Sequence, residues 1–466
     1  MIAMSLHSQL LKWIKKNAET HLELLCKFLA LPSVTCEKQT AKQCASWLGT
    51  LMQQYGIETK VFEAQGNPIL VGEKIIGQNK PTVLFYGHYD VQPAEPLEDW
   101  VSPPFSPDIR DNRVFARGAA DDKGQILSCL LALRALDDLS VRPLANVKFL
   151  FEGEEEEGSP HLAEFVEEHR QYLKADFAIA VDGNRHYSDK PTLIFGVRGG
   201  LWVELSINTS QREFHVSYED VVPNAAEEVT RIISSLTASN GLVTLPGFYD
   251  DIIPPSQTEQ RWLEDLRFDS NVLASESGRQ DAAQIDTVEF YRKMMFSPTL
   301  TVTGVSAGYV GSGTKAAIPT RGMIKVDIRL APNQDPDKIL ESLNKHLGDV
   351  CPEASLKLIS KLPPSRTNVE LTSVKQFICT FVEIMGNDVI LIPSFGGSGP
   401  HYVFLDILKV PFVWMPLAWS DCKAHGANEN LSVTSFQQGI EIVATLLTSL
   451  GIEKLHKDVP NIDPRP

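Results

Sequence analysis

Three short apolar runs, each closed by acidic or imidazole side chains, constrain this chain more than anything else in it. Residues 83–86 read Val-Leu-Phe-Tyr, and Gly87, His88 and Asp90 follow at once. Residues 147–151, V-K-F-L-F, run into E-G-E-E-E-E-G-S. Residues 177–181, F-A-I-A-V, end on Asp182 and Gly183. Apolar runs of this length suit strands buried on both faces. In an open α/β sheet, ligands bind in the crevice beyond the carboxyl ends of the strands. Acids recurring at three such ends describe one catalytic edge of one sheet. On extended backbone, positions i and i+2 point the same way, so His88 and Asp90 can face one site.

A turn adds a fourth acidic position. Residues 117–124 read R-G-A-A-D-D-K-G, with Asp121 and Asp122 just ahead of an apolar helix over 126–136. Carboxylates are favoured at a helix N-terminus, so one of the pair is expected to cap it. Two adjacent acids after a glycine turn exceed what a cap requires. The four acids at 154–157 would ordinarily be a solvated face. Directly after a buried strand, their mutual repulsion calls for something positive. Late in the chain, His425 stands in D-C-K-A-H-G-A-N-E-N.

The chain has 466 residues and a formal net charge of -16, which argues against nucleic acid or an anionic membrane surface as its main partner. No apolar run approaches the roughly 18 to 20 residues that span a bilayer. Residues 1–29 read as amphipathic helix rather than signal peptide. Seven scattered cysteines with no C-x-x-C fit a reduced, cytoplasmic compartment. Near Gly196 the pattern changes. Leu201, Val203, Leu205 and Ile207 alternate with polar neighbours, as do Ile324, Val326, Ile328 and Leu330. This is the pattern of an antiparallel sheet with one covered face. Buried-type strands return at 389–392 and 410–413. The chain is therefore predicted as α/β: a catalytic domain of 1–198 and 366–466, interrupted by an α+β domain over 199–365.

Imidazole with carboxylate suits zinc and, less selectively, cobalt or manganese. Two cations about 3.5–4 Å apart need a shared carboxylate and terminal ligands on each. A further acid must move a proton from water to a leaving amine. Another can orient a metal-binding His through its second ring nitrogen.

The motifs G-H-Y-D-V, R-G-A-A-D-D-K-G, E-G-E-E-E-E-G-S, A-V-D-G and A-H-G-A-N-E stand in one order and span most of the chain. Together they resemble the co-catalytic dizinc peptidase and deacylase family, which includes carnosinase-type cytosolic dipeptidases, glutamate carboxypeptidase, aminoacylase, acetylornithine deacetylase and succinyl-diaminopimelate desuccinylase. The resemblance implies a catalytic α/β/α sandwich with a central mixed sheet, and an inserted lid and dimerisation domain. It implies two divalent cations, zinc first, with manganese or cobalt as alternatives. His88 and Asp182 would serve one metal, Glu156 and His425 the other, and Asp121 would bridge. Glu155, selected by E-G-x-E-E-x-G-S, would be the general base, and Asp90 the partner behind the metal site. The Asp121–Asp122 peptide is expected to be cis. His215, in R-E-F-H-V-S-Y-E, would stabilise the oxyanion across the interface of a homodimer. Arg329 would hold the substrate carboxylate with its bidentate fork, and the loop with Gly397 and Ser398 would contact substrate. The implied reaction is hydrolysis of a dipeptide or short peptide. The alternatives are an N-acyl-amino-acid deacylase and, in a different class, a metal-free binding or scaffold protein on the same fold.

Overall fold

A computed structural model describes residues 2–386 and 388–450. The chain falls into two compact units. One is built from the segment up to Gly196, from Thr367–Pro393, and from Pro400 onward; the other comprises Val197–Arg366 and Ser394–Gly399. The end of the expected second catalytic segment, 451–466, lies outside the described residues.

The first unit is organised on an eight-stranded sheet. In spatial order its strands are Glu58–Phe62, Ile69–Lys74, Asn146–Glu152, Thr82–His88, Phe177–Ala180, Phe412–Trp414, Thr192–Ile194 and Ile390–Ile392. Thr82–His88 runs parallel to both Asn146–Glu152 and Phe177–Ala180, while Ile69–Lys74 pairs antiparallel with both its neighbours and Thr192–Ile194 antiparallel with Phe412–Trp414, so the sheet is mixed. Every residue of Asn146–Glu152 and of Phe177–Ala180 is buried. Strands covered along their whole length need layers on both faces, in keeping with the sandwich that the resemblance implies.

Helix Lys123–Asp138 is buried from Lys123 to Leu133 without a polar stripe, because Val433–Leu447 packs on the side away from the sheet. The two helices approach closely at Gly439, where a Cβ would meet Ser128 Oγ at 3.0 Å. Burying each large apolar side chain of this layer contributes about 1.5–3 kcal/mol.

The second unit has a four-stranded antiparallel sheet, in the order Thr299–Ala307, Arg321–Leu330, Gly199–Asn208, Ala354–Leu362. The register pairs Leu201 with Ile328, Val203 with Val326 and Leu205 with Ile324. That alternation buries one face in a core shared with helices Ala225–Leu236 and Pro336–Val350. Three helices, Gln257–Asp265, Ser270–Ser277 and Thr287–Phe296, lie in a stretch whose periodicity singles out no element. The glycine-rich segment 394–399, which the sequence assigns with 366–466, groups instead with this unit. Its backbone is tied there: Arg198 N donates to Gly397 O at 2.9 Å, and Val197 bridges Phe395.

Candidate metal centre

The parallel register sets the height of each functional side chain. His88 stands opposite Glu152, and Tyr86 opposite Ala180, so His88, the 152–159 loop and Asp182 leave the sheet at one edge. The Asp121 turn reaches the same edge because strand and helix meet closely at Gly87. A Cβ there would lie 2.3 Å from Ile126 Cγ2 and 2.5 Å from Asp122 Oδ2; only glycine allows that approach.

Two groups of ligand-type atoms result, His88–Asp121–Asp182 and Asp121–Glu156–His425. His88 Nε2 lies 3.0 Å from Asp121 Oδ1 and 3.8 Å from Asp182 Oδ1. His425 Nε2 lies 3.0 Å from Asp121 Oδ2 and 3.3 Å from Glu156 Oε2. Asp121 thus offers one oxygen to each group. Ligand atoms about 2.0–2.2 Å from a tetrahedral ion are roughly 3.4 Å from one another, and the measured separations bracket that value. The donor set fits two divalent cations.

The electrostatics agree. Burial opposes charge on His88, but hydrogen bonds with Asp121, Asp182 and Asp90 outweigh it and hold the imidazole well above its ordinary pKa. His425, bonded to Asp121 and Glu156, is pushed up to about 11. Burial would raise Asp121, yet the hydrogen bonds from His425 and His88 hold it well below the carboxylate range. The carboxylates therefore hold positive charge between themselves. Burial lifts Glu155 well above its ordinary value; His88 opposes, while Asp182, Glu156 and Asp121 add to the rise.

Asp90 is fully buried and works on two elements. Its Oδ1 lies 3.3 Å from His88 Nδ1. Its carboxylate also accepts from Glu155 N at 3.2 Å, from Glu156 N at 3.1 Å and from Thr35 Oγ1 at 2.9 Å. Glu156 is held from behind by Gln92, whose N and Nε2 donate to it at 3.1 and 2.8 Å.

The structure brings His88, Asp90, Asp121, Glu155, Glu156, Asp182 and His425 to one place, and the Asp121–Asp122 peptide is cis. One expectation is corrected: neither acid of the pair caps the helix. Asp122 occupies the cap position but makes no capping bond; its Oδ2 accepts from His88 N at 3.1 Å. Burial, then Asp182, pushes its carboxyl well above the ordinary range. Sequence reasoning also passed over Glu152, Glu429 and Arg117, although all three stand inside the quoted motifs.

In the second unit, His215 ends the short strand Phe214–His215, exposed, with Nδ1 2.9 Å from Ser217 Oγ. Arg329 is engaged by its own strand: Nε and Nη2 donate to Asp327 at 2.9 and 3.0 Å, and Nη1 donates to Ser398 Oγ at 3.1 Å. The Trp202 ring lies 4.9 Å from the guanidinium, and its Nε1 donates to Asp327 at 2.9 Å. Asp327 was legible only as a polar residue two positions before Arg329. Gly397 packs against Phe395, whose ring a Cβ would meet at 2.6 Å.

Imidazoles and carboxylates on the carboxyl edge of an α/β sheet, with one carboxylate common to two ligand groups, make up the equipment of a metal-dependent hydrolase. The chain belongs to peptidase family M20/M25/M40, whose model matches residues 84–449. Among curated relatives, a beta-Ala-His dipeptidase of Rattus norvegicus is 27% identical over 399 residues, 84% of this chain and 80% of its own. The Cys-Gly metallodipeptidase dug1 of Schizosaccharomyces pombe is 26% identical over 463 residues, 94% of this chain and 97% of its own. The crystal structure of an M20 family metallo-carboxypeptidase from Sulfolobus solfataricus superposes with a TM-score of 0.87 at 31% identity, covering 92% of this chain and 98% of that one. Among the described residues, no helix is long and apolar enough to cross a membrane.

Proposed function

We propose that this chain is a dimetal dipeptidase, with His88 and Asp182 holding one cation, Glu156 and His425 the other, and Asp121 both. The observation that carries the reading is the division of Asp121, with one oxygen 3.0 Å from His88 Nε2 and the other 3.0 Å from His425 Nε2. The dipeptidases among its relatives support the substrate class. Zinc is the first choice, with manganese or cobalt as alternatives; when bound, such a pair supplies Lewis acidity toward an amide carbonyl and toward water.

The protein's own groups do the rest. Glu155 takes a proton at its carboxylate from the attacking water and returns it to the leaving amine. Burial lifts this carboxyl above its ordinary value, which strengthens it as a proton acceptor. Asp90 fixes the His88 ring and, through the Glu155 and Glu156 N–H groups, the turn that carries the base. Arg329, kept flat by Asp327 and Trp202, turns its remaining N–H groups to the substrate carboxylate, beside Ser398 and Gly397. The first unit is the catalytic domain and the second a lid and dimerisation domain. His215 completes the oxyanion site of the opposite subunit in a homodimer. Exposed Val305, Tyr309 and Val310 on the second unit support such an interface, and seven free cysteines suit the cytoplasm.

The test is metal analysis of the purified protein, with an assay of dipeptides, C-terminally amidated dipeptides and N-acyl-amino acids after chelation and readdition of zinc, manganese or cobalt. Metal-restored cleavage of free dipeptides is expected. A protein that binds two ions and turns over no dipeptide overturns the proposal, and turnover of acyl-amino acids alone replaces it with a deacylase.

A further inference from the structure

Glu429 is a carboxylate with no exposed surface, four residues beyond His425. Its Oε1 accepts from the backbone N–H groups of Ala120 and Asp121 at 2.9 and 3.0 Å. Its Oε2 accepts from Gly118 N at 3.0 Å and from Arg117 Nη1 at 2.9 Å. Those four bonds fill the acceptor sites of an ionised carboxylate. Three of them come from the backbone of the single turn 118–121 that carries Asp121, an anion cradle made of N–H groups. Arg117, 2% exposed, completes the link: its Nη2 donates to Pro93 O at 3.0 Å and to His425 O at 3.3 Å. The backbone of Glu429 is itself pinned, since Ala116 N donates to Glu429 O at 3.1 Å and Asn430 pairs with Phe115.

We propose that Glu429 is a positioning residue that locks the Asp121 turn to the His425 loop, so that one buried carboxylate, with Arg117, sets the spacing within both ligand groups. The inference rests on the reading of Asp121 and His425 as metal ligands. It goes further in assigning control of both ions to a side chain that touches neither. Asp90 bonds Thr35, His88 and the Glu155–Glu156 turn, whereas Glu429 governs the residue common to both groups. A glutamine cannot replace it, because in either amide orientation its NH2 would meet donors, Gly118 N–H and the Arg117 guanidinium or the Ala120 and Asp121 N–H groups.

The full chain, stripped with a chelator, is titrated with zinc by calorimetry and with cobalt by visible absorbance. Wild type binding two ions is the control, and it fails only if the dimetal reading itself fails. Glu429→Gln is expected to weaken both binding steps 10–100-fold, the range for partners that orient ligands from behind. It should also alter the cobalt spectrum, which a loss of fold stability alone would not do below the melting transition. Arg117→Lys keeps the charge but loses the fork; it should weaken mainly the step that His425→Ala abolishes. A folded Glu429→Gln protein with wild-type affinities and spectrum overturns the proposal. Should that variant not fold, Arg117→Lys decides: unchanged affinity at the His425 step overturns it, and selective weakening there supports it.

Discussion

Glu152 closes a strand with 2% of its surface exposed, and its Oε1 accepts from Tyr86 Oη at 2.6 Å and from Ser159 Oγ at 2.7 Å. Burial, with Asp90 nearby, pushes this carboxyl from an ordinary 4.5 up to about 8, against the two hydroxyl bonds that favour its ion. The folded protein therefore binds the proton more tightly than the unfolded chain. The stability this confers is complete below about pH 4.5 and is lost as pH rises through about 8. At roughly 1.36 kcal/mol per pH unit, that interval amounts to about 5 kcal/mol as an upper bound. Glu152→Gln keeps the shape and an acceptor oxygen for both hydroxyls but has nothing to ionise. In urea unfolding of chelator-treated protein, the variant should match wild type within about 1 kcal/mol near pH 5 and exceed it by several kcal/mol near pH 9. Parallel stability profiles across that window would show that Glu152 ionises freely in place, and the linkage drawn from its burial would be wrong.

Glu155→Ala should lower turnover by about 100- to 10,000-fold, the usual share of a general base, while leaving bound metal at the wild-type ratio by elemental analysis. Surviving activity would move the base elsewhere in the 154–157 run. Arg329→Lys should raise KM for free dipeptides by about tenfold or more, with little change for amidated ones, in steady-state assays of both. Equal effects on the two substrate types would place the substrate carboxylate elsewhere.

Much of this protein is legible in its residues taken in order. The apolar runs at 83–86, 147–151 and 177–181 named three neighbouring strands of the sheet, and the alternation from Leu201 and from Ile324 named two of the second unit. These signals are local, since a strand buried on both faces or on one writes its environment into side chains one or two positions apart. The residue types at the strand ends likewise pointed to the two groups of ligand-type atoms that the fold assembles, because imidazole and carboxylate have few other reasons to collect after buried strands.

Only the folded chain decided how those groups divide their work. Glu429 reads as one more acid until it meets Gly118 N, 311 positions earlier in the chain. Asp122 has the position of a helix cap, yet it serves the backbone of His88, 34 positions away. Arg329 looks wholly free for a substrate, yet Asp327 and Ser398 take three of its N–H groups and leave two, and the glycine loop at 394–399 groups with Arg198 and Arg329 in the second unit. A hydrogen bond is satisfied by whatever lies within 3 Å or so, and nothing in the local pattern records which distant residue that will be.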